Sequence, residues 1–187
     1  MSKPPQGCEL CESPGGEVLH QGVQFRVVLV DDDNYPGFCR VIWRDHVREV
    51  TDLNELDRML LMDVLWQVEH VLREVMQPEK INLASFGNMV PHLHWHVIPR
   101  YTDDAHFPAP VWAEAKRQAT SASLQVRRER LPSLRVKMRQ RLSTYLWRVT
   151  ETCQLMYLCQ THPYPPKSPF EKQHAFLSSV MAIPAIS

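Results

Sequence analysis

Pro91-His92-Leu93-His94-Trp95-His96-Val97-Ile98-Pro99-Arg100 is the stretch from which the rest of the chain can be read. In an extended chain alternate side chains share a face. Taken as a strand over Val90–Pro99, it sets His92, His94 and His96 on one face and Leu93, Trp95 and Val97 on the other. The apolar set is what a sheet buries beneath a helix, and the other set spaces imidazoles roughly 6–7 Å apart along one surface. Packing does not demand that pattern, because a buried imidazole needs hydrogen-bond partners. Alternating histidines on a strand can ligate one metal ion. They can equally act as nucleophiles, since imidazole with a pKa of about 6.5 is mostly neutral at pH 7. Attack on phosphorus would then split one displacement into two through a phosphohistidine. Spacing leaves both chemistries open.

Upstream, Ile81–Phe86 reads as a short strand and Gly87-Asn88 as a turn. Leu53, Leu56, Leu60, Val64, Val68, Val71 and Val75 recur every three or four residues, which predicts one apolar face of a long helix. Asp52 with Glu55 suits its N-cap, and Pro78 lies past its end. Phe25–Val30 and Phe38–Trp43 read as two strands around the polar cluster Asp31–Asn34 and the Pro36-Gly37 turn. Strand, strand, helix, strand, strand with tight turns predicts an α+β domain on an antiparallel sheet. Three segments are expected: a domain over 1–112, a basic helical extension over 113–142 interrupted at Pro132, and an irregular or disordered segment over 143–187.

Lysine plus arginine number 21 against 21 acidic residues, so net charge gives no sign of a nucleic-acid partner. Nine Lys/Arg and two Glu do fall between Ala113 and Leu142, a face read as solvated surface. No apolar run of about 18 residues is present, so no membrane span is expected. Met1–Glu12 lacks the apolar stretch of a signal peptide, which makes the cytoplasm the expected compartment. Cys8, Cys11, Cys39, Cys153 and Cys159 are odd in number and read as metal ligands or buried thiols. His70 and His106 read as surface residues and Trp112 as packing.

His92-Leu93-His94-Trp95-His96-Val97-Ile98 resembles the His-x-His-x-His-x-x motif, x apolar, of the histidine triad family. Cys8-x-x-Cys11, Pro36-Gly37 before a strand, His46, the long helix and Pro99-Arg100 follow in that family's order, so the resemblance covers roughly residues 6–112. It implies an antiparallel meander sheet with a long helix, commonly dimerised, and no organic cofactor. The implied activity is hydrolysis or nucleotidyl transfer at an α-phosphate of a dinucleoside polyphosphate or nucleoside phosphoramidate. The alternative is a nucleotide- or partner-binding module with little turnover. By the same resemblance His94 is the nucleophile, His96 assists at the scissile phosphate and leaving group, and His92 orients. Asn88 stands where members carry a phosphate-binding Gln, in a shorter loop, and Phe38 where a His often follows Pro-Gly. The ribose-binding acid falls at Val30 or its neighbour, so Asp31 is the candidate. Cys8-Glu9-Leu10-Cys11 has the knuckle spacing favoured by zinc. Some family members complete such a site with residues corresponding to His46 and His92, which implies a structural zinc on Cys8, Cys11, His46 and His92.

Overall fold

The computed structural model describes residues 7–145. A single helical turn, α1 (Glu9–Glu12), precedes β1 (Glu17–Gln21), β2 (Phe25–Leu29) and β3 (Cys39–Trp43). The helix α2 (Glu55–Met76) leads to β4 (Lys80–Ala84) and β5 (His94–Arg100), and α3 (Ser121–Glu129) follows. The five strands pair antiparallel in the order β1-β2-β3-β5-β4. The edge strand β1 is an element the sequence reading did not anticipate. Only Leu19 of its five residues is buried, so it carries little apolar contrast.

Strand alternation sorts the side chains into two layers. Phe25, Val27, Leu29, Cys39, Val41, Trp43 and Val97 are buried on one face, where α2 contacts β3 and β5. Arg40, Ile42, His94 and His96 lie on the other, as the cross-strand pairs Ile42↔His94 and Arg40↔His96 require. The apolar stripe of α2 is Leu61, Val64, Leu65, Val68, Val71, Leu72 and Met76. It is offset from the expected stripe, for Leu56 is 76% exposed. Fully burying each such side chain stabilises the fold by about 1.5–3 kcal/mol before entropy is counted, and truncating Leu65 to Ala would cost about 2–5 kcal/mol.

Two boundaries differ from expectation for local reasons. Asn54, not Asp52, caps α2, its Oδ1 accepting from Asp57 N at 2.9 Å. Asp52 turns back instead and accepts from Glu49 N at 3.0 Å within a short 3-10 turn, Val50–Asp52. Strand β5 starts at His94 rather than Val90, because Leu93 N bonds Val47 O at 2.7 Å and His92 N bonds Val90 O at 2.8 Å. His92 therefore stands before the strand. The Pro36-Gly37 turn does form, and Gly37 has φ +94°, a left-handed backbone in which any side chain would be strained, while a Cβ there would also push on Met76 Cε at 2.9 Å.

The basic segment is not merely solvated. Pro132 falls in the first turn of a helix over 131–145, where its missing N–H costs no hydrogen bond. Residues 143–145 continue that helix, and the rest of the expected 143–187 segment lies outside the described residues. Arg127 pairs with Asp103 and covers the Tyr101 ring at 3.7 Å. Arg135 reaches Glu17 at 2.7 Å, Lys137 reaches Glu74 at 2.8 Å, and Arg141 donates to Gln67 Oε1 at 2.6 Å. Leu134, Met138 and Leu142, spaced by four, are fully buried. Among the described residues no helix is long and apolar enough to cross a membrane.

Candidate active site

The N-terminal segment lies over the histidine face of the sheet. Leu10 packs with Cys8, Val28 and Ile42. Arg26 donates to the carbonyls of Leu10, Ser13 and Pro14 at 2.6, 3.1 and 2.9 Å, fastening that segment to β2. Cys8 and Cys11 are thereby carried to His46 and His92, and the ligand atoms of all four lie within 4.8 Å of one another. His92 Nδ1 is 3.5 Å from Cys8 Sγ and 3.4 Å from Cys11 Sγ, and His46 Nδ1 is 3.4 Å from Cys11 Sγ. The opposite nitrogen of His92 meets Trp43 O at 2.7 Å. A carbonyl only accepts, so Nε2 carries the proton and Nδ1 presents its lone pair to the sulfurs. This is the outer-shell contact that orients a metal-ligating imidazole. Burial, then the bond and charge of Cys8, push the Cys11 thiol up to about 11. The cluster can hold a metal ion.

The next two histidines are placed differently. His94 Nδ1 bonds His92 O at 2.6 Å, so it too is the protonated nitrogen and Nε2 keeps the lone pair. Burial lowers the pKa of His94 against that carbonyl contact, so the ring is neutral at pH 7. His96 lies beside it, ring centres 4.8 Å apart. Burial, reinforced by the charges of His94 and Arg40, brings the His96 pKa down to about 3. His96 Nδ1 is buried and has no hydrogen-bond partner among the described residues. Around its ring stand Phe38, Trp112 and Phe86, with centres 5.5, 5.2 and 6.3 Å away. Phe86 and Trp112 meet edge to face at 4.6 Å, and both are more than half exposed. The arrangement pairs a neutral imidazole with a free Nε2 and a second neutral imidazole in an open aromatic corner.

Other sequence candidates fall as follows. Asn88 is exposed in the loop before His92. Asp31 is exposed and lines a groove of about 410 Å³ with Arg128 and Arg135. Alternation from buried Leu29 puts it on the side away from the histidines, while Val30 packs with Phe38 and Ile98 on their side. Asp31 is thus not brought to the pair. His106 is half-buried with Nδ1 on the Tyr35 hydroxyl, and Trp112, read as packing, stands at the mouth of the site. His70 is exposed, as read. Sequence reading missed Arg40 and the aromatic corner. Arg40 carries a signal, a cation alternating with apolar residues inside a strand, but its neighbour His96 is fixed only by sheet register.

Residues 17–103 match the HIT domain family. A protein named AP-4-A phosphorylase from Mycobacterium tuberculosis is 32% identical over 98 residues, which are 49% of this chain and 50% of that protein. The chain spans about half the length of the curated relatives it matches. Among solved structures, a histidine triad protein from Marinobacter aquaeolei VT8 is 26% identical with a TM-score of 0.57, covering 74% of this chain and 96% of its own. Another from Bradyrhizobium japonicum is 29% identical with a TM-score of 0.54, covering 67% and 90%.

Proposed function

On the premise that a HIT domain spans residues 17–103 of this chain, we propose that it is a nucleotide hydrolase or nucleotidyl transferase with His94 as its nucleophile. The observation that carries this reading is the contact from His94 Nδ1 to His92 O at 2.6 Å, which leaves Nε2 unprotonated beside His96. Nε2 bonds to the α-phosphorus of a nucleotide as the bond from phosphorus to the leaving group breaks, and the electron pair departs with that group. Water then attacks phosphorus and gives up a proton. The phosphorus–nitrogen bond breaks, releasing a nucleoside monophosphate and restoring the lone pair. His96 is neutral and serves as a hydrogen-bond donor to phosphate oxygen rather than as a standing acid. A dinucleoside polyphosphate or a nucleoside phosphoramidate is the substrate class, in keeping with the name of the M. tuberculosis relative. Asn88, exposed in the loop before His92, offers its amide to the phosphate. Asp31 takes no part, because alternation turns it away.

Cys8, Cys11, His46 and His92 would hold a zinc ion, which supplies a cross-link between the N-terminal segment and the start of β5. Bond lengths of about 2.3 Å to sulfur and 2.0–2.1 Å to nitrogen give a tetrahedral S···N edge of about 3.6 Å. The 3.4–3.5 Å separations fit that edge. Four protein ligands leave no position for substrate, so this centre is structural. A homodimer belongs to the reading as well, and light scattering of the purified chain checks it.

The test is turnover of diadenosine tetraphosphate and adenosine phosphoramidate by wild type and His94→Ala. Release of AMP by wild type and not by the variant is expected, and equal release by both would overturn the role of His94. Tight nucleotide binding without turnover of either would instead favour a binding module, the reading that the exposed Asn88 and the Phe38 position support.

A further inference from the structure

Arg26, Arg40 and Arg100 rise from the histidine face of the sheet, and two of them are each held by several short hydrogen bonds. Arg26 serves three carbonyls of the N-terminal segment. Arg100 is held by Asp104, Asn82 Oδ1 and Ala109 O. Arg40 is the exception. It lies directly across from His96 in the register of β3 and β5, and opposed residues of an antiparallel pair have Cβ atoms about 4.5–5.5 Å apart. Among the described residues its buried Nε has no partner, and neither has the neighbouring His96 Nδ1. Its one hydrogen bond among the described residues is a long one, Nη1 to Gly15 O at 3.5 Å. Phe38 lies under the guanidinium, 5.7 Å from its ring centre. The charges of Glu9 and Asp32 act on it, yet no ion pair among the described residues includes it.

A guanidinium cannot shed its charge, and a buried donor without a partner is costly. Ile42, next along the same face, is fully buried, and Phe38 beneath the guanidinium is buried too, so an apolar residue would pack as well in a purely structural role. A guanidinium fork beside an imidazole suits an anion with several oxygens, which it can grip at two points. We propose that Arg40 binds a second phosphate of the substrate, one that His94 does not attack. This rests on the nucleotide reading above and adds to it a requirement: the substrate carries more than one phosphate. That group is either the next phosphate along a chain or a phosphate on the sugar.

The test uses the full chain with His94→Ala, so that ligands are bound but not consumed. Calorimetry compares AMP, ADP and adenosine 3′,5′-bisphosphate, with Arg40 present and with Arg40→Leu or Arg40→Lys. One of the two diphosphorylated ligands binds roughly 10- to 100-fold more tightly than AMP, the size of a charge-assisted contact. ADP as the tighter ligand assigns Arg40 to the chain, and the bisphosphate assigns it to the sugar. In Arg40→Leu the ratio to AMP falls below about threefold, and Arg40→Lys, with charge but no fork, restores it in part. The lysine variant also guards against a leucine variant that fails to fold. A ratio near one with Arg40 present, or one that survives in Arg40→Leu, overturns the proposal while the nucleotide reading stands. Absence of AMP binding in the parent overturns the nucleotide reading and this inference with it.

Discussion

His92 and His94 stand two residues apart and do opposite things with their nitrogens. His92 has both engaged, Nδ1 toward Cys8 and Cys11 and Nε2 on Trp43 O, and it is fully buried. Among the described residues His94 has only Nδ1 engaged, and His96 leaves a buried Nδ1 unmet beside an exposed aromatic rim. One short segment thus has a closed end that fastens the N-terminal segment and an open end left for a ligand. Saturation of polar groups, rather than residue type, separates structure from chemistry here. Damage to the closed end should therefore appear in stability, and damage to the open end in turnover.

The largest expected effect is at the open end. His94→Ala lowers kcat by a factor on the order of 10⁶, as loss of a nucleophile does elsewhere, with a melting midpoint close to wild type. A large fall in that midpoint would break the distinction. Next comes the closed end. Cys8→Ser with Cys11→Ser, or prolonged chelation, lowers the midpoint by roughly 10 °C. Elemental analysis should find one zinc per wild-type chain and none in the variant, and an unchanged midpoint would sink the structural role of the cluster.

The far end of β5 sharpens the comparison, because Arg100 and Asp104 form a second saturated site. Burial pushes the Asp104 carboxyl up, but bonds from Arg100 and from the N–H groups of Tyr101, His106 and Phe107 outweigh it and hold the pKa at about 2. The pair is buried at 2% and 0% exposure, and breaking such a pair costs roughly 3–5 kcal/mol. Asp104→Asn should lose about that much in urea at pH 7. With the pKa depressed below its unfolded value of about 3.9, this contribution is present above pH 4 and lost as pH falls toward 2. The Asn variant should therefore lack that part of the acid-unfolding slope. The smallest effect belongs to the half-exposed surface. Glu17→Gln removes the contacts to Arg135 and Arg139, with exposures of 41%, 33% and 53%, and should cost less than about 1 kcal/mol by thermal denaturation.

Much of this contrast was legible in the sequence, and the reasons for the rest are physical. The alternation of His94, His96 and Val97 gave the strand and its faces, and the helical period gave α2. Where β5 begins was not legible, because it depends on Leu93 bonding Val47, a contact between segments far apart in sequence. Asp31 is the acid nearest the position that the resemblance implies for ribose binding, yet strand parity turns it from the histidines. Arg40 was passed over because its significance comes from facing His96 across the sheet, and register is a tertiary property. The basic residues of 113–142 were read as solvated because their acidic partners, Glu17, Glu74 and Asp103, lie in other elements.

In the proposed reaction His94 Nε2 is the atom that bonds to phosphorus. The most direct measurement is to quench wild-type protein in alkali, where a phosphorus–nitrogen bond survives, during turnover of diadenosine tetraphosphate. Tandem mass spectrometry of the digest then locates any adenylyl group. The expected result is that group on His94. Its appearance on His92 or His96, or product formation with no adduct on any histidine, would contradict it.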